Sequence, residues 1–273
     1  MSKKRILFVT QEMSPYLEQS SIAKIVRYLA PYIQKNEYEI RVLMPRFGTI
    51  NEKRHRLHEV VRLSGINITV NDEDNPLIIK VASLPEAKIQ VYFLDNEDLF
   101  KRKSVFRDDT NKFHDDNDMR TAFFCKGVLE TVVKLGWKPD LIHCNGWMTS
   151  LIPMYLKTMY KDEPIYDGTK AVYSLYENAF PEVFADGFEK KVDFDDDPLE
   201  AGDLEAFKAG DFKSLNMGAM KYSDALIVGN ENIDPVFKEE IANTDKPVLG
   251  AQEESEYLGA YVNFFKEVLE TAE

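Results

Sequence analysis

The strongest constraint on this chain is a series of short segments that are apolar at nearly every position. The first is Ile6-Leu7-Phe8-Val9-Thr10. An unbroken run of strand formers fits a strand buried on both faces, and such strands belong to parallel sheets covered by helices. A turn through Ser14-Pro15-Tyr16 follows. Residues 20–34 then carry Ile22, Ile25, Val26 and Leu29 at helical spacing. Ile40-Arg41-Val42-Leu43-Met44-Pro45 is the second strand. A strand–helix–strand unit of about 40 residues suits a right-handed crossover between parallel strands.

The pattern continues less regularly. Residues 57–61, 66–70, 77–82 and 89–94 read as antiparallel or mixed strands, joined by polar turns such as Asn71-Asp72-Glu73-Asp74-Asn75. A helix is predicted over 116–135, with Phe123, Val128, Leu129 and Val132 inward. Asp116 is its expected cap and Arg120 an expected ion-pair partner. Asp140-Leu141-Ile142-His143-Cys144-Asn145 is another buried strand, and a helix over 149–160 follows with Pro153 in its first turn. Residues 171–175 and 225–228 read as strands, 214–222 as a helix and 243–255 as a polar linker. Residues 256–271 form a final amphipathic helix with Leu258, Val262, Phe265 and Leu269. The fold class is therefore α/β, a Rossmann-like doubly wound and mostly parallel sheet. Ligands in that architecture gather at the carboxyl ends of strands, so residues just after strands carry the functional question.

Composition narrows the class. The 273 residues are 44% hydrophobic and 30% charged, enough for a core without disulfides or metals. A net charge of −13 argues against nucleic acid and anionic membranes as partners. Cys125 and Cys144 lie in apolar contexts and read as buried thiols. No apolar run is long enough for a signal peptide or a membrane span, so a cytoplasmic location is expected. No metal is expected, because none of the four histidines has a second ligand at useful spacing. No Gly-x-Ser-x-Gly elbow or Walker loop occurs. Asp195-Asp196-Asp197 reads as a solvated loop.

Five stretches, in order and spacing, carry a resemblance to a known family. They are Phe8-Val9-Thr10-Gln11-Glu12-Met13-Ser14-Pro15-Tyr16; residues 40–47; the block from Val91-Tyr92-Phe93-Leu94-Asp95-Asn96 through Leu99-Phe100-Lys101-Arg102 to Asp116-Asn117-Asp118-Met119-Arg120; Trp137-Lys138-Pro139-Asp140-Leu141-Ile142-His143-Cys144-Asn145-Gly146-Trp147; and residues 220–228. Together, over roughly residues 5–240, they resemble the N-terminal domain of bacterial glycogen (starch) synthases. The resemblance implies a GT-B glycosyltransferase fold, with two Rossmann-like domains around a cleft. It also implies a glucan glucosyltransferase activity with ADP-glucose as donor substrate and no resident cofactor. Residues 1–242 correspond to the family's N-terminal domain. Residues 243–273 correspond to a linker and the C-terminal helix that packs back on it. No stretch is long enough for the donor-binding domain.

The departures from the family pattern are specific. Its Lys-x-Gly-Gly turn, where glycines admit a diphosphate to backbone amides, becomes Glu18-x-Ser20-Ser21. Ser20 there reads as a helix cap. The family's second His and its Asp in "HxHDW" become Asn145 and Gly146, while His143 and Trp147 remain. The later active-site histidine becomes Tyr176, followed by Glu177. A tyrosine cannot donate the same charged hydrogen bond near neutral pH. The cleft candidates are thus Glu18, Ser20, Ser21, His143, Asn145, Trp147, Tyr176 and Glu177, with no catalytic residue assigned. His143 reads equally as a buried core histidine, and Trp147 as packing. Three functions follow as expectations: a catalytically reduced relative that binds a glucan, a small sugar or a protein; an enzyme completed in trans or by self-association; or a non-enzymatic interaction module.

Overall fold

A computed structural model describes residues 3–193 and 199–271; Asp195-Asp196-Asp197 lies outside the described residues. Among the described residues, ten strands form the sheet: β1 Arg5–Thr10, β2 Glu39–Pro45, β3 His58–Glu59, β4 Ile66–Val70, β5 Glu73–Ser83, β6 Gln90–Asp95, β7 Leu141–Asn145, β8 Lys170–Leu175, β9 Ala225–Val228 and β10 Val248–Leu249. Their order is β10-β9-β8-β7-β1-β2-β6-β5-β3, with β4 paired to β5. Strands β10 through β6 run parallel. At the β5 edge the pairing turns antiparallel. The main helices are α1 Ser21–Lys35, α2 Asn117–Leu135, α3 Ile152–Lys157, α4 Phe212–Tyr222, α5 Pro235–Asn243 and α6 Tyr257–Glu270. This is the α/β, mostly parallel architecture that the apolar runs imply.

Chain order fixes where a site can be. From β1 the chain builds outward through β2 and β6, then returns to the other side of β1 with β7, β8 and β9. The order reverses between β1 and β7, and that reversal opens a crevice at their carboxyl ends. Thr10 pairs with Asn145, Asn145 with Ser174, and Leu175 with Val228. The residues just beyond these pairs therefore share one end of the sheet.

α6 lies against α1 and buries Tyr261, Phe264, Phe265 and Val268. Phe265 reaches the sheet, with ring centroids 6.4 Å from Phe8 and 5.1 Å from His143. Cys125 and Cys144 are both buried and unpaired, as their apolar neighbours imply.

Several elements differ from the sequence expectation. Strand 57–61 shrinks to β3, two exposed residues. The polar turn over 71–75 contracts to Asn71 and Asp72, both at positive φ, so that β5 starts at Glu73. The helix expected over 149–160 divides into a 3-10 turn, Trp147–Thr149, and α3. The polar segment 243–255 contains β10, an edge strand whose two residues make no apolar run of their own. α5 begins at Pro235 behind an Asp234 cap, a start signal in the sequence that the strand-centred reading passes over. Asp116 makes no cap bond; its carboxylate takes a fork from Arg102 instead. Arg120 forms no ion pair among the described residues. It donates to Val105 O and Asn117 Oδ1, both at 2.7 Å, and lies between the Phe47 and Phe100 rings.

Candidate functional site

The turn after β1 is organised around a carboxylate of the chain itself. Glu12 is buried. Its Oε2 accepts from the backbone N–H groups of Gln19 (2.5 Å) and Ser20 (2.8 Å), and its Oε1 accepts from Ser20 Oγ (2.6 Å). Ser20 is the N-cap of α1, accepting from Ile22 N at 3.3 Å. A helix start is where an external anion would seek backbone amides. Here Glu12 already occupies the donors of Gln19 and Ser20. Glu18 is exposed and accepts from Ser14 Oγ at 2.6 Å, within its own turn.

Beneath α6, the ends of β7 and β8 carry a buried polar cluster. His143 Nε2 sits 2.7 Å from Ser174 Oγ, and its ring packs edge-on against Phe8, Tyr261 and Phe265. Burial pushes the His143 pKa down to about 3, so the ring is neutral at neutral pH. Tyr176 donates its hydroxyl to Asn145 Oδ1 at 2.7 Å. Asn145 Nδ2 faces the carbonyls of His143 (3.2 Å) and Val9 (3.4 Å). Burial raises the Tyr176 pKa far above its ordinary value, with Tyr261 adding to the effect. The Tyr176 ring lies on Gly229, where an added Cβ would collide with it. None of these groups titrates near neutrality, and the cluster has no open face for a substrate.

Gly146 completes the filling. Its backbone, at φ 89° and ψ 156°, lies in a region that only glycine adopts readily. A Cβ there would collide with the side-chain amide of Gln11. Gln11 therefore takes the space into which a side chain at 146 would project.

Next to this filled region is an open cleft of about 260 Å³. Its floor and walls are Trp147, Phe106, Phe113 and Phe180; Gln11, Glu12, Gln19, Ser20, Arg107, Glu177 and Asn178 supply polar groups. The Trp147 ring lies 4.8 Å from Phe106 and 4.9 Å from Phe180. Asn178 Nδ2 is buried without a partner among the described residues. Glu177 is exposed, and its N–H donates to Asn230 Oδ1 at 3.1 Å. Asn230 Nδ2 in turn faces Ser21 Oγ at 3.3 Å.

A second cavity, about 270 Å³, lies on the other side of the α1 start, between α1, the end of β9 and α6. Ser21, Lys24, Tyr28, Glu254 and Tyr257 are among its walls. Among the described residues, no group of three or more His, Cys, Asp or Glu is placed to hold a metal ion. No helix among them is long and apolar enough to cross a membrane.

The structure thus divides the sequence candidates. Ser20, Trp147 and Glu177 share the open cleft, Ser21 lines the second cavity, and His143, Asn145 and Tyr176 form the buried cluster. Glu18 lines neither cavity. Sequence reasoning passed over Gln11, Glu12, Phe106, Arg107, Phe113, Asn178 and Phe180. Gln11 and Glu12 directly follow a strand and carried a signal that could have found them. The aromatic walls come from loops without periodicity and carried none.

Residues 5–245 match the family described as starch synthase catalytic domain. The glycogen synthase of Chlorobium luteolum is 41% identical over 181 residues, which cover 64% of this chain and 36% of that one. That of Chlorobaculum parvum is 34% identical over 248 residues, covering 90% of this chain and 49% of that one. The chain therefore spans between about a third and a half of the length of these curated relatives. The catalytic domain of starch synthase IV from Arabidopsis thaliana, solved bound to ADP and acarbose, has the same fold. Its TM-score is 0.74 at 15% identity, with 92% of this chain and 52% of that one covered. With its fold and matched segment in agreement, the chain belongs to the starch synthase catalytic domain family.

Proposed function

We propose that this chain is a catalytically reduced member of the family, one that binds an α-glucan in the open cleft and transfers no glucose there. One observation carries the reading. Tyr176, Asn145 and Gln11 fill with side chains the positions where the family pattern places two histidines and an aspartate. The remaining titratable groups support it. His143 is neutral and enclosed, and Glu12 is spent on the Gln19 and Ser20 amides just before α1, so neither is poised for proton transfer. A donor diphosphate entering the cleft would meet Glu12 and Glu177, while the Arg107 guanidinium there is already forked onto Glu182.

The cleft retains the chemistry for a sugar. Aromatic faces sit beside amide and carboxylate groups that can donate to or accept from hydroxyls. At about 260 Å³ it lies just below sites that enclose a drug-sized ligand, so a single ring fits better than a nucleotide sugar. Acidic composition and two buried unpaired thiols fit a reducing cytoplasm.

The test joins two measurements on the whole protein. Calorimetry with maltohexaose is expected to show binding that Trp147→Ala abolishes. Incubation with labelled ADP-glucose and glycogen is expected to leave the glycogen unlabelled. Label transferred by the purified chain would overturn the proposal. Transfer that appears only after a second polypeptide is added would favour completion in trans.

A further inference from the structure

Two loops meet above Trp147, and one ion pair crosses their seam. Residues 101–116 lead into α2, and residues 176–187 follow β8. Arg107 forks onto Glu182 with both bonds at 2.7 Å. The fork holds the Glu182 carboxyl below its ordinary range. The Arg107 guanidinium also lies over the Phe113 ring, 5.3 Å from its centroid. Phe113 stacks on Phe180 across the seam, at 4.9 Å and 21°, and both rings cover Trp147. Elsewhere the loops are tied to different elements. Asn117 Nδ2 donates to Phe106 O at 2.9 Å, anchoring the first loop to α2. Phe184 N donates to Gly210 O at 2.8 Å, anchoring the second to the segment before α4. Among the described residues, Arg107–Glu182 is the ion pair that joins the two loops.

Phe113 is also a wall shared by two cavities. On one side is the cleft over Trp147; on the other is a cavity of about 350 Å³ lined by His114, Glu182, Val183 and Phe184. Trp147 is only 3% exposed, so a sugar ring cannot pack against it beside Phe180 while Phe113 stays in place. A ring in a close-packed core cannot move without displacing its neighbours, but a ring backed by open volume can.

We propose that Phe113 is a gate, latched by the Arg107–Glu182 pair, that swings from the cleft into the neighbouring cavity and admits a hexose ring of a glucan to the face of Trp147. The gate builds on the reading of the cleft as a glucan site. A partly exposed ion pair biases such an equilibrium by up to about fivefold, which leaves an open minority for a ligand to select.

The experiment reads the gate without sugar. In a Trp137→Phe background, Trp147 is the sole tryptophan, and acrylamide quenching of its fluorescence reports its exposure. Glu182→Gln keeps the side chain's size and removes the latch charge. Quenching is expected to rise by up to about fivefold in this variant, and at least as far in Phe113→Ala. The association rate of maltohexaose is expected to rise with it. Unchanged quenching in folded Glu182→Gln, a half-exposed position where folding is not at stake, would overturn the gate whatever Phe113→Ala does. Raised quenching with no maltohexaose binding in any variant would support the gate and remove the glucan reading. Maltohexaose binding at one common rate with unchanged quenching would remove the gate and keep the glucan reading.

Discussion

The carboxyl end of the sheet presents two neighbouring regions, made from adjacent strand ends, with opposite character. Under α6, His143, Ser174, Asn145 and Tyr176 bond to one another and are sealed by Tyr261 and Phe265. Beside them, Trp147 and Phe180 border an open cleft of about 260 Å³. Both descend from the same crevice at the β1–β7 reversal. The difference lies in which side chains occupy the space at the strand ends. The Tyr176 and Gln11 side chains occupy one half of the crevice: the Tyr176 hydroxyl bonds Asn145 Oδ1, and the Gln11 amide lies where a Cβ at 146 would project. The other half has kept its vacancy.

Reversing the filling is the strongest way to break this contrast. Gly146→Asp, which restores the family residue, is expected to destabilise the protein by about 4 kcal/mol, because it combines backbone strain with a clash against Gln11. Urea denaturation would measure the loss, and adding Gln11→Ala should return part of it. Equal stability of Gly146→Asp and the wild type would mean that the crevice is not filled as described. Tyr176→Phe removes a single hydroxyl and leaves Asn145 Oδ1 buried without its donor, an expected loss of about 2 kcal/mol in the same assay.

Acid sharpens the contrast further. Folded His143 has its pKa depressed to about 3, whereas unfolded histidine titrates near its ordinary value of about 6.5. The unfolded chain therefore binds the extra proton between these limits. Stability from this group is complete above about pH 6.5 and falls toward pH 3, by up to about 1.4 kcal/mol per pH unit. Comparing stability against pH for wild type and His143→Gln should remove that component of the slope; parallel curves would contradict the enclosed, neutral ring. Ser20→Ala takes away the α1 cap and the hydroxyl donor to Glu12, for about 1 kcal/mol, read from the thermal midpoint. Smallest of all, Glu177→Gln on the open side is expected to move stability by less than about 0.5 kcal/mol. A loss like that of Tyr176→Phe would make the open region structural as well.

The parts of the fold legible in the sequence were those where local composition decides the outcome. Ala225-Leu226-Ile227-Val228 reads as a strand and is β9. Ser20 reads as a cap, and α1 starts one residue later. β10 was hidden because an edge pair borrows its stability from β9 rather than from its own residues. In the site, the altered motif positions 145, 146 and 176 could be read directly. Their consequence could not, since it depends on a hydroxyl reaching from the end of β8 to β7 and on the side-chain amide of Gln11 at the end of β1. Glu12 shows the same limit: a carboxylate after a strand is visible, but the amides of Gln19 and Ser20 that it holds are placed by the turn.

The protein's own side chains close half of the crevice, and the other half is the glucan site we propose. A crystal structure of the protein with maltohexaose tests it most directly. The account predicts a pyranose ring against Trp147 and Phe180, with the Tyr176–Asn145 and His143–Ser174 bonds intact. Sugar bound in place of a displaced Tyr176, or bound only away from Trp147, would contradict it.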